Sequence, residues 1–329
     1  MNIASLDILE MKTAKTPRSP RYVSGHWQLN LTATVAVIFI AAPLAALALG
    51  QPPALPDGAH LTRDMEYVPN GHDRQKLDLY LPRDGKNWPL VVWIHGGAWR
   101  GGDKERPPAL RLLRSGYAVA SINYRLSQHA TFPAQLEDCK AAIRWLRAHA
   151  DQYGYNADRI AVWGASAGGH LVALLGTTSD VKEFDVGENI NQSSAVQAVV
   201  DFFGPTDFLQ INAQAGAESQ LNHDAADSPE SRLIGGPVLD NPENAKRANP
   251  ITYISADDPP FLIMHGEEDH TVPIGQSELL DTALEKAGIE STLHRIPNAG
   301  HGFAGPEVAR TVRTFLDRHL KGTNNEQAK

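Results

Sequence analysis

Ile160-Ala161-Val162-Trp163-Gly164-Ala165-Ser166-Ala167-Gly168-Gly169-His170 is the stretch on which the fold turns. It opens with an apolar run fit for a buried strand, and the segment after it, Leu171 to Leu175, is fit for a helix. Between them lies Gly164-x-Ser166-x-Gly168. So tight a strand-to-helix turn forces its central residue into a strained backbone conformation, and flanking glycines remove the Cβ atoms that would clash. The central hydroxyl then projects free of the sheet, and the amide N–H of Ala167 points into the same space. That pairs a nucleophile with half of an oxyanion hole. By composition alone the three-residue pattern arises in roughly one chain of this length in ten. Its place between strand and helix gives it meaning, and the rest of the chain must supply its partners.

Outward from this stretch the pattern alternates. Leu77, Leu79 and Leu81 alternate with Asp78 and Tyr80, which predicts a half-exposed strand ended by Pro82. Pro89 to Ile94, Tyr117 to Asn123, Ile160 to Trp163, Ala198 to Phe203 and Phe261 to His265 are continuous apolar runs, as expected of strands covered on both faces. Phe132, Leu136, Cys139, Ile143 and Leu146 share one face at helical spacing, with Pro133 placed for the first turn. Ile274, Leu280, Leu284 and Ala287 form a second stripe, stopped by Gly288, and Val308, Val312, Phe315 and Leu316 a third. Strands alternating with helices imply an α/β fold, a mostly parallel doubly wound sheet with helices on both faces.

Residues 204–259 break the alternation with a long stretch rich in Asn, Asp, Ala, Pro and Gly. An insertion of this length in a compact domain is either a structureless loop or a functional cover. Its flanking strands deliver it to the carboxyl edge of the sheet, where open α/β folds bind ligands, so it is read as a substrate rim or lid. At the other end, residues 1–50 carry a basic segment (Lys12, Lys15, Arg18, Arg21), an apolar run from Ala33 to Leu49 and a small-residue end, Ala48-Leu49-Gly50. This is the plan of a secretory signal cleaved before Gln51, and it predicts an exported protein, periplasmic or secreted. The alternative is a retained N-terminal membrane anchor, for which the run is at the short limit of about 17–25 residues. Residues 51–60 read as a linker and 61–322 as the catalytic domain.

A serine hydroxyl needs a base to take its proton, and the base needs a carboxylate to fix its tautomer and support its charge. Downstream of Ser166, His301 lies in a Gly-rich loop after the apolar segment Thr292 to Ile296, placed to reach over the sheet edge. The carboxylate comes from His265-Gly266-Glu267-Glu268-Asp269-His270-Thr271-Val272-Pro273, where spacing alone does not separate Glu267, Glu268 and Asp269. His270 competes with His301 but stands next to the acids it would have to receive. His95-Gly96-Gly97-Ala98-Trp99 follows the strongest buried strand, and its glycines let backbone N–H groups turn toward a developing oxyanion. Gly96, Gly97 and Ala167 are the expected donors. Trp99 lines the acyl pocket or belongs to the core.

Together His95-Gly96-Gly97-Ala98-Trp99, Gly164-Ala165-Ser166-Ala167-Gly168-Gly169-His170, Asp269-His270-Thr271-Val272-Pro273 and His301-Gly302-Phe303 resemble an α/β-hydrolase esterase. The subgroup most similar is the bacterial set related to bifunctional feruloyl and acetyl-xylan esterases, near the hormone-sensitive-lipase esterases. The likeness runs from about Val68 to Leu320 and includes Asn123-Tyr124-Arg125-Leu126 and Phe203-Gly204-Pro205-Thr206-Asp207. It implies Ser166 as nucleophile, His301 as base and Asp269 as the acid, over its two neighbours. The hormone-sensitive-lipase group usually carries a third glycine after His-Gly-Gly. Ala98-Trp99 stands here instead, which favours the carbohydrate-esterase branch.

The expected activity is a serine carboxylic ester hydrolase acting through an acyl-enzyme on short-chain or carbohydrate-linked acetyl and feruloyl esters. Backbone N–H groups hold the oxyanion, so no cofactor is implied. The thirteen histidines form no H-E-x-x-H or comparable cluster, so no metal is implied either. Net charge is -8 with no basic patch, which excludes nucleic acid as a partner. Cys139, the one cysteine, falls on a helical apolar stripe and reads as packing. A serine peptidase or amidase is the alternative, since the Asp269 and His301 segments also look like prolyl-oligopeptidase-type enzymes. Those usually carry a propeller domain that 329 residues do not accommodate. A formamidase of the His-Gly-Gly-x-Trp kind is another. A non-catalytic binding module is the third, and such proteins commonly lose a triad member that is present here.

Overall fold

Leu90, Val92 and Ile94 join one buried cluster, and Val91 and Trp93, between them, join another. A strand sends successive side chains to opposite faces, so a run that is apolar throughout must be covered on both sides. The computed structural model describes residues 55–322 except Arg106, Glu218 and Gln220. The expected export signal over 1–50 and the first part of the expected linker lie outside the described residues.

Eight strands form one sheet: β1 (His60–Glu66), β2 (Lys76–Leu81), β3 (Trp88–Ile94), β4 (Ala118–Ile122), β5 (Tyr155–Ala165), β6 (Ala198–Phe202), β7 (Phe261–Gly266) and β8 (Ser291–Ile296). Their order is β1-β2-β4-β3-β5-β6-β7-β8. The pairs β1/β2 and β2/β4 are antiparallel and every later pair is parallel. The helices are α1 (Ala134–Ala148), α2 (Ala150–Tyr153), α3 (Ala167–Thr177), α4 (Phe208–Gln214), α5 (Pro229–Ile234), α6 (Pro242–Arg247), α7 (Gly275–Lys286) and α8 (Pro306–Leu320). On one face α1, α3 and α7 bury Leu136, Ile143, Leu171, Leu174, Leu280 and Leu284. On the other, α8 and the 3-10 segment Pro108–Ser115 bury Val312, Leu316, Leu110 and Leu113. Cys139 is fully buried on α1, and burial pushes its thiol well above the ordinary range.

The chain leaves β3 toward β4 on one side and leaves β5 toward β6 on the other. The two carboxyl ends therefore diverge over a crevice, the switch point at which such sheets bind ligands. Ile94 pairs with Gly164, so Gly96 and Ser166, each two residues further on, arrive level with one another.

Three local expectations change. β2 is buried on both faces, with Asp78 fully buried and Tyr80 nearly so, because Lys104 reaches Asp78 at 2.7 Å and Leu110 and Leu113 cover Tyr80. The linker ends one residue early, since His60 already pairs with Leu81. The described residues of 204–259 are folded, with Phe208, Leu233, Ile234, Val238, Ala245 and Ala248 in the core, so the structureless-loop alternative does not hold.

The first turn of α3 lies against β3. A methyl at Gly168 would stand 2.1 Å from the Ile94 carbonyl oxygen and 2.7 Å from that of His95, both rigid backbone. Gly168→Ala is expected to cost about 3 kcal/mol in denaturant unfolding, the upper end of what overpacking typically costs. Gly101→Ala, whose methyl meets nothing within 4 Å, is expected to stay within about 0.5 kcal/mol.

Candidate active site

Ser166 caps the junction of β5 and α3 with φ 55° and ψ −122°, a strained conformation for a residue with a Cβ. Two bonds hold it there: its N–H donates to the Phe202 carbonyl (2.8 Å), and its own carbonyl accepts from His170 N–H (3.0 Å). Ala167 is the first residue of α3, so its N–H has no intrahelical acceptor. A Cβ on Gly96 would lie 3.3 Å from the Ser166 Cβ, which places the loop after β3 directly beside the serine. The loop then runs through positive φ at Gly97, Ala98 and Trp99.

His301 approaches from the loop after β8. That loop crosses the end of β7 so closely that a methyl on Gly266 would stand 2.2 Å from the Ala299 carbonyl oxygen. Glu268 N–H donates to the same carbonyl at 2.9 Å, tying the two loops together. His301 Nε2 then accepts from Ser166 Oγ at 2.9 Å, and His301 Nδ1 donates to Asp269 Oδ2 at 2.7 Å. The Asp269 side chain is fully buried, whereas Glu267, Glu268 and His270 are exposed. The ring of Phe203, itself at φ 44°, packs 4.7 Å from the His301 ring.

Three side chains to which the sequence reading gave no role at the site complete the surroundings. His265 Nε2 stands 3.2 Å from Asp269 Oδ2, the oxygen His301 uses. Its signal was an imidazole closing an otherwise apolar strand, a polar group that a buried sheet must satisfy. Arg74 donates to the Tyr124 carbonyl (2.9 Å), the Gly102 carbonyl (2.9 Å) and His95 Nε2 (3.0 Å), and His95 Nδ1 donates to the Gly96 carbonyl (2.7 Å). Nothing in the sequence marks Arg74, which reaches this loop only through the fold. Phe203 was read as a strand end and as part of the family likeness, without a place at the site. Trp99 is 1% exposed and packs against His170 and Phe208, so of its two readings it takes the core.

Burial alone would raise the Asp269 carboxyl, but hydrogen bonds from His265 and His301 outweigh it and hold the group far below the usual carboxylate range. Burial drives His95 and His170 down to about 4, so both are neutral. The Asp201 carboxyl, fully buried beneath the elbow, is pushed up to about 6 by burial. The arrangement has what acyl transfer needs: an activated hydroxyl, a base with a fixed tautomer, a buried anion behind it and backbone amides beside it.

Comparisons with known proteins place the chain among esterases. The family model BD-FAE matches residues 77–284. Esterase LipQ of Mycobacterium tuberculosis is 34% identical over 263 residues, which cover 78% of this chain and 59% of the relative. A probable carboxylic ester hydrolase of the same organism, LipM, is 32% identical over 69% of this chain and 52% of its own length. The chain thus spans little more than half the length of these curated relatives. Among solved structures, a truncated carbohydrate esterase from gut microbiota superposes with a TM-score of 0.76 at 32% identity, covering 82% of this chain and 100% of that one. A bifunctional GH43-CE protein of Bacteroides eggerthii gives 0.72 at 36% identity, over 79% of this chain and 38% of its own.

Two expectations follow from the geometry. Asp269→Asn replaces the buried anion and is expected to lower kcat by about 10⁴-fold, as a wrong-tautomer change does, while the exposed Glu268→Gln leaves it within about twofold; steady-state kinetics rank them. Stability is expected to fall below neutrality. Unfolded His95 and His170 take up protons near pH 6.5, whereas the folded groups refuse them until about 4. Their contribution is therefore whole above pH 6.5 and is lost as pH falls toward 4, at about 1.4 kcal/mol per pH unit for each histidine, while Asp201, protonated from about 6 in the folded state, offsets one histidine's share below that pH. Denaturant titrations between pH 7 and 4.5 measure this slope.

Proposed function

The chain belongs to the BD-FAE family of α/β-hydrolase esterases, and from that premise we propose that it is a serine carboxylic ester hydrolase working through Ser166, His301 and Asp269. The observation that supports this most is the continuous hydrogen-bonded path from Ser166 Oγ through His301 to buried Asp269 at the sheet's switch point. In this reading Ser166 Oγ attacks the ester carbonyl carbon as His301 Nε2 takes its proton. The carbonyl oxygen becomes an oxyanion that the N–H groups of Gly96, Gly97 and Ala167 receive, where each donor typically carries about 10²–10³ in rate. His301 returns the proton to the leaving alkoxide, and the acyl group remains on Ser166. Water then attacks, His301 again taking and returning a proton, and the carboxylic acid leaves. Asp269 supports the transient imidazolium throughout.

The substrate class is short-chain or carbohydrate-linked acetyl and feruloyl esters. The support is the carbohydrate esterase and GH43-CE structures among the neighbours and the Ala98-Trp99 departure from a third glycine. Residues 204–259 serve as the substrate rim. Phe208 at their start packs on Trp99, beside the oxyanion loop, and His170 on the elbow helix donates to the Ala248 carbonyl at 2.7 Å.

The test is a p-nitrophenyl ester ladder from acetate to dodecanoate, with methyl ferulate and acetylated xylan alongside. Turnover is expected to be strong on acetate and to collapse by octanoate, with release from xylan or ferulate. Ser166→Ala is expected to abolish turnover and fluorophosphonate labelling with the fold retained. Activity surviving in that variant would sink the assignment, and a labelled serine with no ester turnover would move the reading to amides.

A further inference from the structure

Asp269 receives three hydrogen bonds and one further close contact on its two oxygens. Oδ1 accepts the N–H groups of Thr271 (2.8 Å) and Val272 (2.9 Å). Oδ2 faces His301 Nδ1 at 2.7 Å and His265 Nε2 at 3.2 Å. The backbone amides come from Asp269's own turn and restrain Oδ1 alone. Of the two groups on Oδ2, His301 sits on a Gly-rich loop with 16% of its side chain exposed, whereas the His265 side chain is fully buried. The fixed contact on the oxygen that matters is therefore His265.

His265 is itself held at both nitrogens. Nε2 lies 2.8 Å from the Val272 carbonyl and Nδ1 lies 2.7 Å from Ser277 Oγ in the first turn of α7. Carbonyl and carboxylate are both acceptors, so Nε2 must carry a proton. Nδ1 can then take its hydrogen from the Ser277 hydroxyl, which leaves the ring neutral. The distinction has consequences. A cationic His265 would share the Asp269 charge with the His301 imidazolium at the moment the latter forms. A neutral donor orients the carboxylate and leaves its charge to His301.

We propose that His265 is a positioning residue for the catalytic acid: a neutral imidazole, held by Ser277 and Val272, that aims Asp269 Oδ2 at His301. This rests on the reading of Ser166, His301 and Asp269 as the catalytic chain. It couples β7, the Asp269 turn and α7 through one ring, so the acid's aim depends on an element that makes no contact with Ser166 in this network.

The experiment compares His265→Leu with His265→Gln in the full chain, since a glutamine amide N–H reaches about where Nε2–H points. The leucine variant is expected to lose about 10²-fold in kcat on p-nitrophenyl acetate, the scale of a misaimed catalytic group, with KM within about twofold. The glutamine variant is expected to recover most of that loss. The downfield proton resonance of His301 Nδ1–H, identified by its disappearance in Asp269→Asn, is expected to move in the leucine variant and return in the glutamine one. Equal losses in both variants, or a leucine variant with wild-type kcat and an unmoved resonance, overturn the proposal. A wild-type chain that turns over no ester defeats the proposed function, and the resonance then decides His265 alone. If His265→Leu does not fold, Ser277→Ala gives the answer: kcat about tenfold lower with a moved resonance supports the role, and wild-type values for both overturn it.

Discussion

The parallel pairing of β3 with β5 is the constraint from which the rest of this site follows. Ile94 stands opposite Gly164, so the two loops that leave these strands begin at the same height. One carries Gly96 and Gly97, and the other carries Ser166. Because β3 continues to β4 on one side and β5 to β6 on the other, no connection crosses between them. The crevice stays open, and a carbonyl beside Ser166 would meet backbone amides from both loops. A shift of one residue in that pairing would carry Gly96 and Ser166 out of step and turn the strand's alternating side chains to the wrong faces. Leu90, Val92 and Ile94 on one face and Val91 and Trp93 on the other bury this pairing on both sides.

Among the described residues, every side-chain-bearing residue at positive φ other than Asn and Asp lies around Ser166. Ser166, Ala98, Trp99 and Phe203 all adopt positive φ although they carry side chains. Each such residue costs on the order of 1–3 kcal/mol and persists only where its surroundings leave no alternative. The surroundings are visible. Ser166 is hydrogen-bonded at both its N–H and its carbonyl, Trp99 is wedged between His170 and Phe208, and Phe203 donates to the Met264 carbonyl at 2.9 Å while packing on His301. The sheet and its helices supply the stability that these positions draw on.

The electrostatics are divided in the same way. Asp269 is a buried carboxylate whose burial cost is offset by three hydrogen bonds and by the imidazole of His265 close by. The buried imidazoles of His95 and His170 add no charge to the site. His95 is neutral because it is buried, accepting from Arg74 on one side and donating to Gly96 on the other. That last bond fixes the peptide whose N–H belongs to Gly97. The loop after β3 and the Asp269 side chain thus each lie against a histidine.

The sequence by itself determined the strand and helix alternation, the elbow at Ser166, the glycine loop at Gly96 and the reach of His301, because each is a local pattern: a period, a turn, a glycine where a Cβ would collide. It also marked Asp269 once the likeness of whole motifs was used, although spacing alone left Glu267 and Glu268 open. Tertiary structure decided what depends on approach between distant segments. It buried Asp78 and Tyr80 under Lys104 and a 3-10 turn, so a strand that alternates in sequence is covered on both faces. It folded residues 204–259 into the core through scattered apolar residues too far apart to show a period. It placed Trp99 inside, brought Arg74 to His95, and set His265 and His301 on one oxygen of Asp269. Such contacts join residues whose spacing along the chain has no relation to their distance in space, and no local periodicity encodes them.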